Sequence, residues 1–329
     1  MTGFGIQLPV QAQSPVFASD WERDAGPVEL VRIARAAEAA GLSYVAVCDH
    51  VAIPRERAEA MGTTWYDTVA TLGFLAGVTT RVGLMSHVAV LGYRHPLVTA
   101  KQWATLDALS GGRAILGVGA GHVEGEFAAL GLDFAARGAR LDEAIDAVRA
   151  ALADEFSSHH GPVWSYDDMA VRPRPVQARI PIWVGGSTPA AIRRAAERGD
   201  GWLPQGPPSD GMAAGIARLH ALREAAGRAE EPFTVGALSG PLHVGTPSWD
   251  VGRCVKGSPE KLAGYLRSLV DLGVDQIQVA FRSRDAAEQC DQLAAFGAEV
   301  LPLVVDGDPA PAPAPDPATL EGPSSARRT

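Results

Sequence analysis

Apolar residues in this chain fall into short continuous runs, most of them followed by a longer stretch in which apolar positions recur every three or four residues. The short runs suit strands covered on both faces, and the longer stretches suit helices with one buried stripe. Residues 4–9 predict a first strand. Residues 27–40 then carry Leu30, Ile33, Ala34 and Ala37 on one face and stop at Gly41, a natural helix C-cap. Residues 43–48 predict a strand running into Asp49 and His50, and residues 65–78 predict a second helix. The best-defined unit is 81–121: a strand at 81–86, a helix opened by Pro96 with Trp103, Leu106 and Leu109 near helical spacing, a stop at Ser110-Gly111-Gly112, and a strand at 113–118. Strand, helix and strand in such close order imply a right-handed crossover.

The alternation continues to residue 300. Leu141, Ile145, Val148 and Leu152 stripe the next helix, and residues 161–175, with Trp164 and Tyr166, form a polar excursion of hairpin character. A strand at 180–184 leads into Gly185-Gly186-Ser187-Thr188-Pro189, which supplies a glycine turn, a hydroxyl cap and a first-turn proline to a helix at 190–198. Further strands are expected at 202–204, 233–244 and 274–281, with helices at 211–226, 258–273 and 286–300. Eight strands alternating with helices are the signature of a (β/α)8 barrel with insertions, and 47% hydrophobic residues suffice for one large core. From Gly307 onward the sequence reads GDPAPAPAPDPATLEGPSSARRT, too poor in large apolar side chains to order itself. The expected organisation is therefore a barrel domain over 1–306 and a disordered tail over 307–329.

Charge and cysteine usage narrow the partners. A formal charge of -9, with no basic run beyond Arg327-Arg328, argues against nucleic acid. Cys48, Cys254 and Cys290 are far apart and form no CxxC, which points to a reducing, cytoplasmic setting. No charged leader precedes a long apolar stretch, and no run of 18 apolar residues occurs, so no membrane partner is expected.

In a barrel of this kind the reacting groups stand at the carboxyl ends of the strands. Asp49-His50 offers a group that titrates near neutrality beside one that can orient it, although a capping Asp next to a packed His has the same sequence. Ser86-His87 leaves the third strand as a second polar exit. Gly185 to Thr188 places backbone amides and two hydroxyls at a helix start, which suits a phosphate and equally suits a well-capped helix. Gly117-Val118-Gly119-Ala120-Gly121 allows close backbone approach, but His122 or Glu124 occupies the third glycine position of a dinucleotide fingerprint. There is no HExxH, GxSxG or Walker loop. His122-x-Glu124 lacks a following PCxxC, His159-His160 reads as polar surface, and no metal is expected.

Three segments together carry a family resemblance: YVAVCDHV, RVGLMSHVAVLGYRHPLVTAKQWATLDALSGGRAILGVGAG, and RPRPVQARIPIWVGGSTPAAIRRAAERGDGWLP. In this order they resemble the bacterial luciferase-like monooxygenase superfamily, most closely its branch that uses the deazaflavin coenzyme F420, over residues 3–299. The resemblance implies a luciferase-like TIM barrel and a homodimer. It implies an oxidoreductase moving a hydride to or from a small organic substrate, with His50 in catalysis and His122 and Glu124 as further candidates. Asp49, Ser86, His87, Val88, Gly119, Gly121, Gly185, Gly186, Ser187 and Thr188 would hold the cofactor, Ser86 and His87 at a non-proline cis peptide. Trp65 and Trp202 would line the substrate side, unless they simply pack in the core. In the sugar-phosphate dehydrogenases of the branch, the position of His122 holds a catalytic glutamate, a departure that argues against that substrate; Glu124 and Glu126 stand close enough to supply a carboxylate. The same scaffold also serves monooxygenases that take reduced FMN from a partner reductase, and non-catalytic cofactor-binding relatives.

Overall fold

The computed structural model describes residues 2–14 and 18–304. Eight strands follow one another around a closed parallel sheet: β1 (Gly3–Gln7), β2 (Tyr44–Val47), β3 (Gly83–Ser86), β4 (Ala114–Gly119), β5 (Ile182–Gly185), β6 (Gly201–Leu203), β7 (Thr234–Val244) and β8 (Gln276–Phe281). Ring closure comes from β8 pairing with β1, Gly3 opposite Gln276 through Ile6 opposite Val279. Each strand is followed by a helix: α1 (Pro27–Ala39), α2 (Thr68–Ala76), α3 (Pro96–Ser110), α4 (Arg137–Ala153), α5 (Pro189–Arg198), α6 (Met212–Ala225), α7 (Pro259–Val270) and α8 (Ala286–Ala295). The chain is a (β/α)8 barrel, and all eight expected strands are present. Among the described residues no helix is long and apolar enough to cross a membrane.

Alternation along the strands sorts side chains between two apolar layers. Val45 and Val47 of β2 pack outward with Leu30, Ile33, Ala34 and Ala37 of α1, as the helical stripe requires. Tyr44 and Ala46 point into the barrel with Met85, Trp183 and Leu203. The Tyr44 and Trp183 rings meet edge to face at 5.6 Å, and Gly5 makes room for them: a Cβ there would lie 2.1 Å from Tyr44 Cζ. Glycine in this strand interior is therefore a packing requirement.

Several elements differ in detail from the sequence reading. The helix expected at 65–78 starts at Thr68, because Asp67 caps it by accepting from the Ala70 amide at 2.8 Å; Trp65 stays in the preceding loop. Leu109 does not join the Trp103 and Leu106 stripe and is 72% exposed. The excursion between α4 and β5 is an antiparallel hairpin, Ser157–His160 with Ser165–Met169. Buried Glu143 of α4 fixes its turn by accepting from the Val163 and Trp164 amides. The last helix continues through a π-helical turn, Phe296–Val300, into Leu301–Val304. The tail expected at 307–329 lies outside the described residues.

Candidate active site

The carboxyl ends of β2 to β6 bring most of the sequence candidates to one mouth. Beyond β2, Asp49 is buried, and its two oxygens accept from Arg94 at 2.6 and 2.7 Å, with the Val90 amide donating to Oδ2 at 2.9 Å. Asp49 is thus occupied in holding the 87–94 segment. Burial alone would lower the Arg94 pKa, but the hydrogen bonds and charge of Asp49 more than offset it and raise the value.

Residues 86–90 form the next wall. The non-proline cis peptide joins His87 to Val88, one bond beyond the Ser86-His87 pair. The Ser86 hydroxyl donates to the Gly117 carbonyl at 2.7 Å. Val88 fills the space between two strand ends, since a Cβ on Gly119 would lie 2.4 Å from its Cγ2 and one on Gly185 would lie 2.5 Å from its Cγ1. Gly121 has φ +80° and faces Val90 and Phe127 equally closely. These glycines admit the wall to the mouth. His87 is 1% exposed, with Nδ1 3.0 Å from Gln278 Nε2 and Nε2 3.2 Å from the Leu203 carbonyl. Burial pushes its pKa down to about 4 against those bonds, so it is neutral near neutral pH.

His50 is largely buried, with 11% of its side chain exposed. Its Nδ1 lies 2.8 Å from Glu126 Oε2. Glu126 Oε1 accepts from the Val51 and Ala52 amides at 2.8 and 3.2 Å, and the Tyr93 hydroxyl reaches Oε2 at 3.3 Å. Burial would raise the Glu126 pKa, but the bond and charge of His50 and the two amides outweigh it and hold the carboxyl below its usual range. The His50 ring meets Trp65 edge to face at 4.4 Å and His122 at 5.7 Å. His122 stands at the outer rim; surrounding protein first, then His50, lowers its pKa. Glu124 is exposed at the start of the short helix Glu124–Ala129, so the carboxylate that meets His50 is Glu126 and not Glu124.

On the far side, Gly186 has φ +97° and leads to α5, whose Thr188 N-cap accepts from the Ala191 amide at 3.2 Å. Pro189 has no amide hydrogen, and the Ala190 amide has no intrahelical acceptor, so it is left to face solvent or a ligand. Ser187 donates to the Gly206 carbonyl. Trp202 is 0% exposed and donates from Nε1 to the Gly186 carbonyl at 2.9 Å, which places it in the core and corrects its reading as a substrate-side residue. Cys48, buried under Gln7 and Gln11, has its thiol pushed up to about 12 by burial and is inert at neutral pH.

The sequence reading passed over Arg94, Tyr93 and Gln278. Each reaches the site only through a long-range contact; Tyr93 and Arg94 lie within a segment of the family resemblance but were given no role there, and Gln278 stands in no motif. Glu126 carried a weak signal: as the third residue of a helix beginning at Glu124 it turns inward where Glu124 turns out.

Known proteins bear on this geometry in three ways. An uncharacterised protein of Mycobacterium tuberculosis is 37% identical over 221 residues, 64% of this chain and 76% of that one. An F420-dependent glucose-6-phosphate dehydrogenase of Amycolatopsis mediterranei is 34% identical over 182 residues, 54% of this chain and 53% of that one. The crystal structure of the monooxygenase RslO1 from Streptomyces bottropensis superimposes with a TM-score of 0.74 at 22% identity, covering 92% of this chain and 99% of that one, a likeness of fold. The sequence model of luciferase-like monooxygenases matches residues 4–251, and the chain belongs to that family of enzymes.

Proposed function

We propose that this protein is a coenzyme F420-dependent oxidoreductase that moves a hydride to or from a small organic substrate. The observation that carries the reading is His50, presented at the barrel mouth against Trp65 and His122 while Glu126 grips its inner nitrogen. Similarity to the Amycolatopsis dehydrogenase supports the deazaflavin over other cofactors. The residues present fit such a group. Gln278 Oε1 is buried with no hydrogen-bond partner among the described residues, beside His87, and is an acceptor suited to a ring bearing N–H groups. Gly185 to Thr188 and the Ala190 amide, at the positive end of the α5 dipole, suit its phosphate. When bound, the deazaflavin supplies the hydride chemistry.

The protein's own residues do the rest. Val88, fixed between Gly119 and Gly185, backs the ring, and Asp49 keeps that wall in place through Arg94 and Val90. His50 exchanges the proton that accompanies hydride transfer, with His122 second in line, and Trp65 borders the substrate. A reducing, cytoplasmic setting, a homodimer and a domain boundary near residue 306 belong to the same reading. The alternative is a monooxygenase served with reduced FMN by a partner reductase, favoured by the family's name and by the fold shared with RslO1.

Hydride transfer between F420 and a panel of carbonyl and enone compounds, followed by deazaflavin absorbance, tests the reading. Replacing His50 by Ala is expected to cut turnover by about 10²–10⁴-fold, the usual weight of a general acid or base, while leaving cofactor affinity within a few-fold. Unchanged turnover removes His50 from the mechanism.

A further inference from the structure

We infer that Glu126 is a positioning residue that fixes the proton of His50 on Nδ1 and so leaves Nε2 as the nitrogen that exchanges protons at the mouth. The inference rests on the reading of His50 as the proton-transfer group, and it follows from counting donors. A carboxylate held ionised has only acceptors to offer. Two donors are settled, the Val51 and Ala52 amides on Oε1, and the Tyr93 hydroxyl shares Oε2. His50 Nδ1 sits 2.8 Å from Oε2, and that contact is a hydrogen bond only if Nδ1 carries the hydrogen. In the neutral ring the lone pair then falls on Nε2.

The geometry registers more than the tautomer. Val51 and Ala52 directly follow His50 in the chain, so one buried carboxylate fixes both the ring and the backbone that carries it. Turning the ring over would set a carbon against Oε2 and strip a buried charge of one of its donors. Trp65 and His122 flank the ring edge to face, and the Phe127 ring supports Tyr93 at 4.9 Å. Of the other titratable side chains around the ring, His122 is at the exposed rim, and Asp49, next to His50 in the chain, is engaged by Arg94.

A role in merely clamping the 51–52 backbone makes a different forecast, and Glu126→Gln separates the two. Gln keeps a carbonyl oxygen for the two amides but presents an NH₂ donor where Oε2 stood, so Nδ1 must become the acceptor and the proton must move to Nε2. The measurement is long-range ¹H–¹⁵N spectroscopy of histidine-labelled full-length protein, with His50 assigned by its loss in His50→Gln, at a pH where the ring is neutral. The wild type is expected to hold the Nδ1–H form over Nε2–H by at least about tenfold, and Glu126→Gln to invert that preference. Should the variant not fold, the wild-type spectrum still decides. A wild-type ring protonated on Nε2, or the same tautomer in both proteins, overturns the inference. The spectrum needs no cofactor, so a failure to bind F420 would sink the proposed function and leave this result standing.

Discussion

At the scale of single residues, the mouth rests on side chains whose protonation is decided by what surrounds them. His87 is the clearest case, because its imidazole is enclosed between Gln278 and the Leu203 carbonyl and has no room for a hydrated charge. Its pKa falls from 6.5 to about 4 on folding. Between those values the unfolded chain binds the proton and the folded protein does not, so stability is full above pH 6.5 and is lost as pH falls toward 4. The loss amounts to roughly 3 kcal/mol at the acid end. Urea unfolding of the wild type from pH 4 to 6.5 is therefore expected to show a steeper pH dependence than His87→Gln; equal slopes would contradict this account of the site. Sequence alone could not distinguish such roles. Ser86-His87 looks like any polar strand exit, and Glu124 and Glu126 are interchangeable until the phase of a six-residue helix turns one out and the other in.

Among the elements, the strands were more legible than what connects them, for a physical reason. A strand buried on both faces is mostly apolar, and β2, β3 and β5, with all four of their residues buried, announce themselves, the polar Ser86 of β3 being satisfied by the Gly117 carbonyl. Two caps were legible as well, since Ser258 and Thr188 each accept from the third amide of their helices, whereas Asp67, which does the same for α2, was not read. The start of α2 was misplaced because Trp65 extends the apolar pattern into a loop, and Leu109 extended the α3 stripe onto its exposed face. The packing of Val88 between β4 and β5 had no signal beyond the glycines themselves. A test at this scale is Gly119→Ala, whose methyl would lie 2.4 Å from Val88 Cγ2. The stiff β-branched side chain cannot fold away, so the wall must shift, at a cost of about 1–3 kcal/mol and with at least tenfold weaker cofactor binding. Wild-type stability and affinity in this variant would show that Val88 does not back the ring.

For the whole molecule, barrel closure turns eight separate strand ends into one surface. Residues as distant in sequence as His50, Val88, Glu126, Gly185 and Gln278 come together only because β1 to β8 form a ring, and the family match over residues 4–251 covers most of the strands that carry them. The class of fold was readable from periodicity, whereas the choice of cofactor was not, since the resemblance extends to enzymes served by reduced FMN as well as to those that use F420. Equilibrium titration of the apo-protein with F420 and, separately, with FMN decides which cofactor the mouth accepts. Saturable binding of F420 at micromolar concentration or tighter is expected, with FMN much weaker; tight binding of FMN together with no binding of F420 would overturn the proposed function.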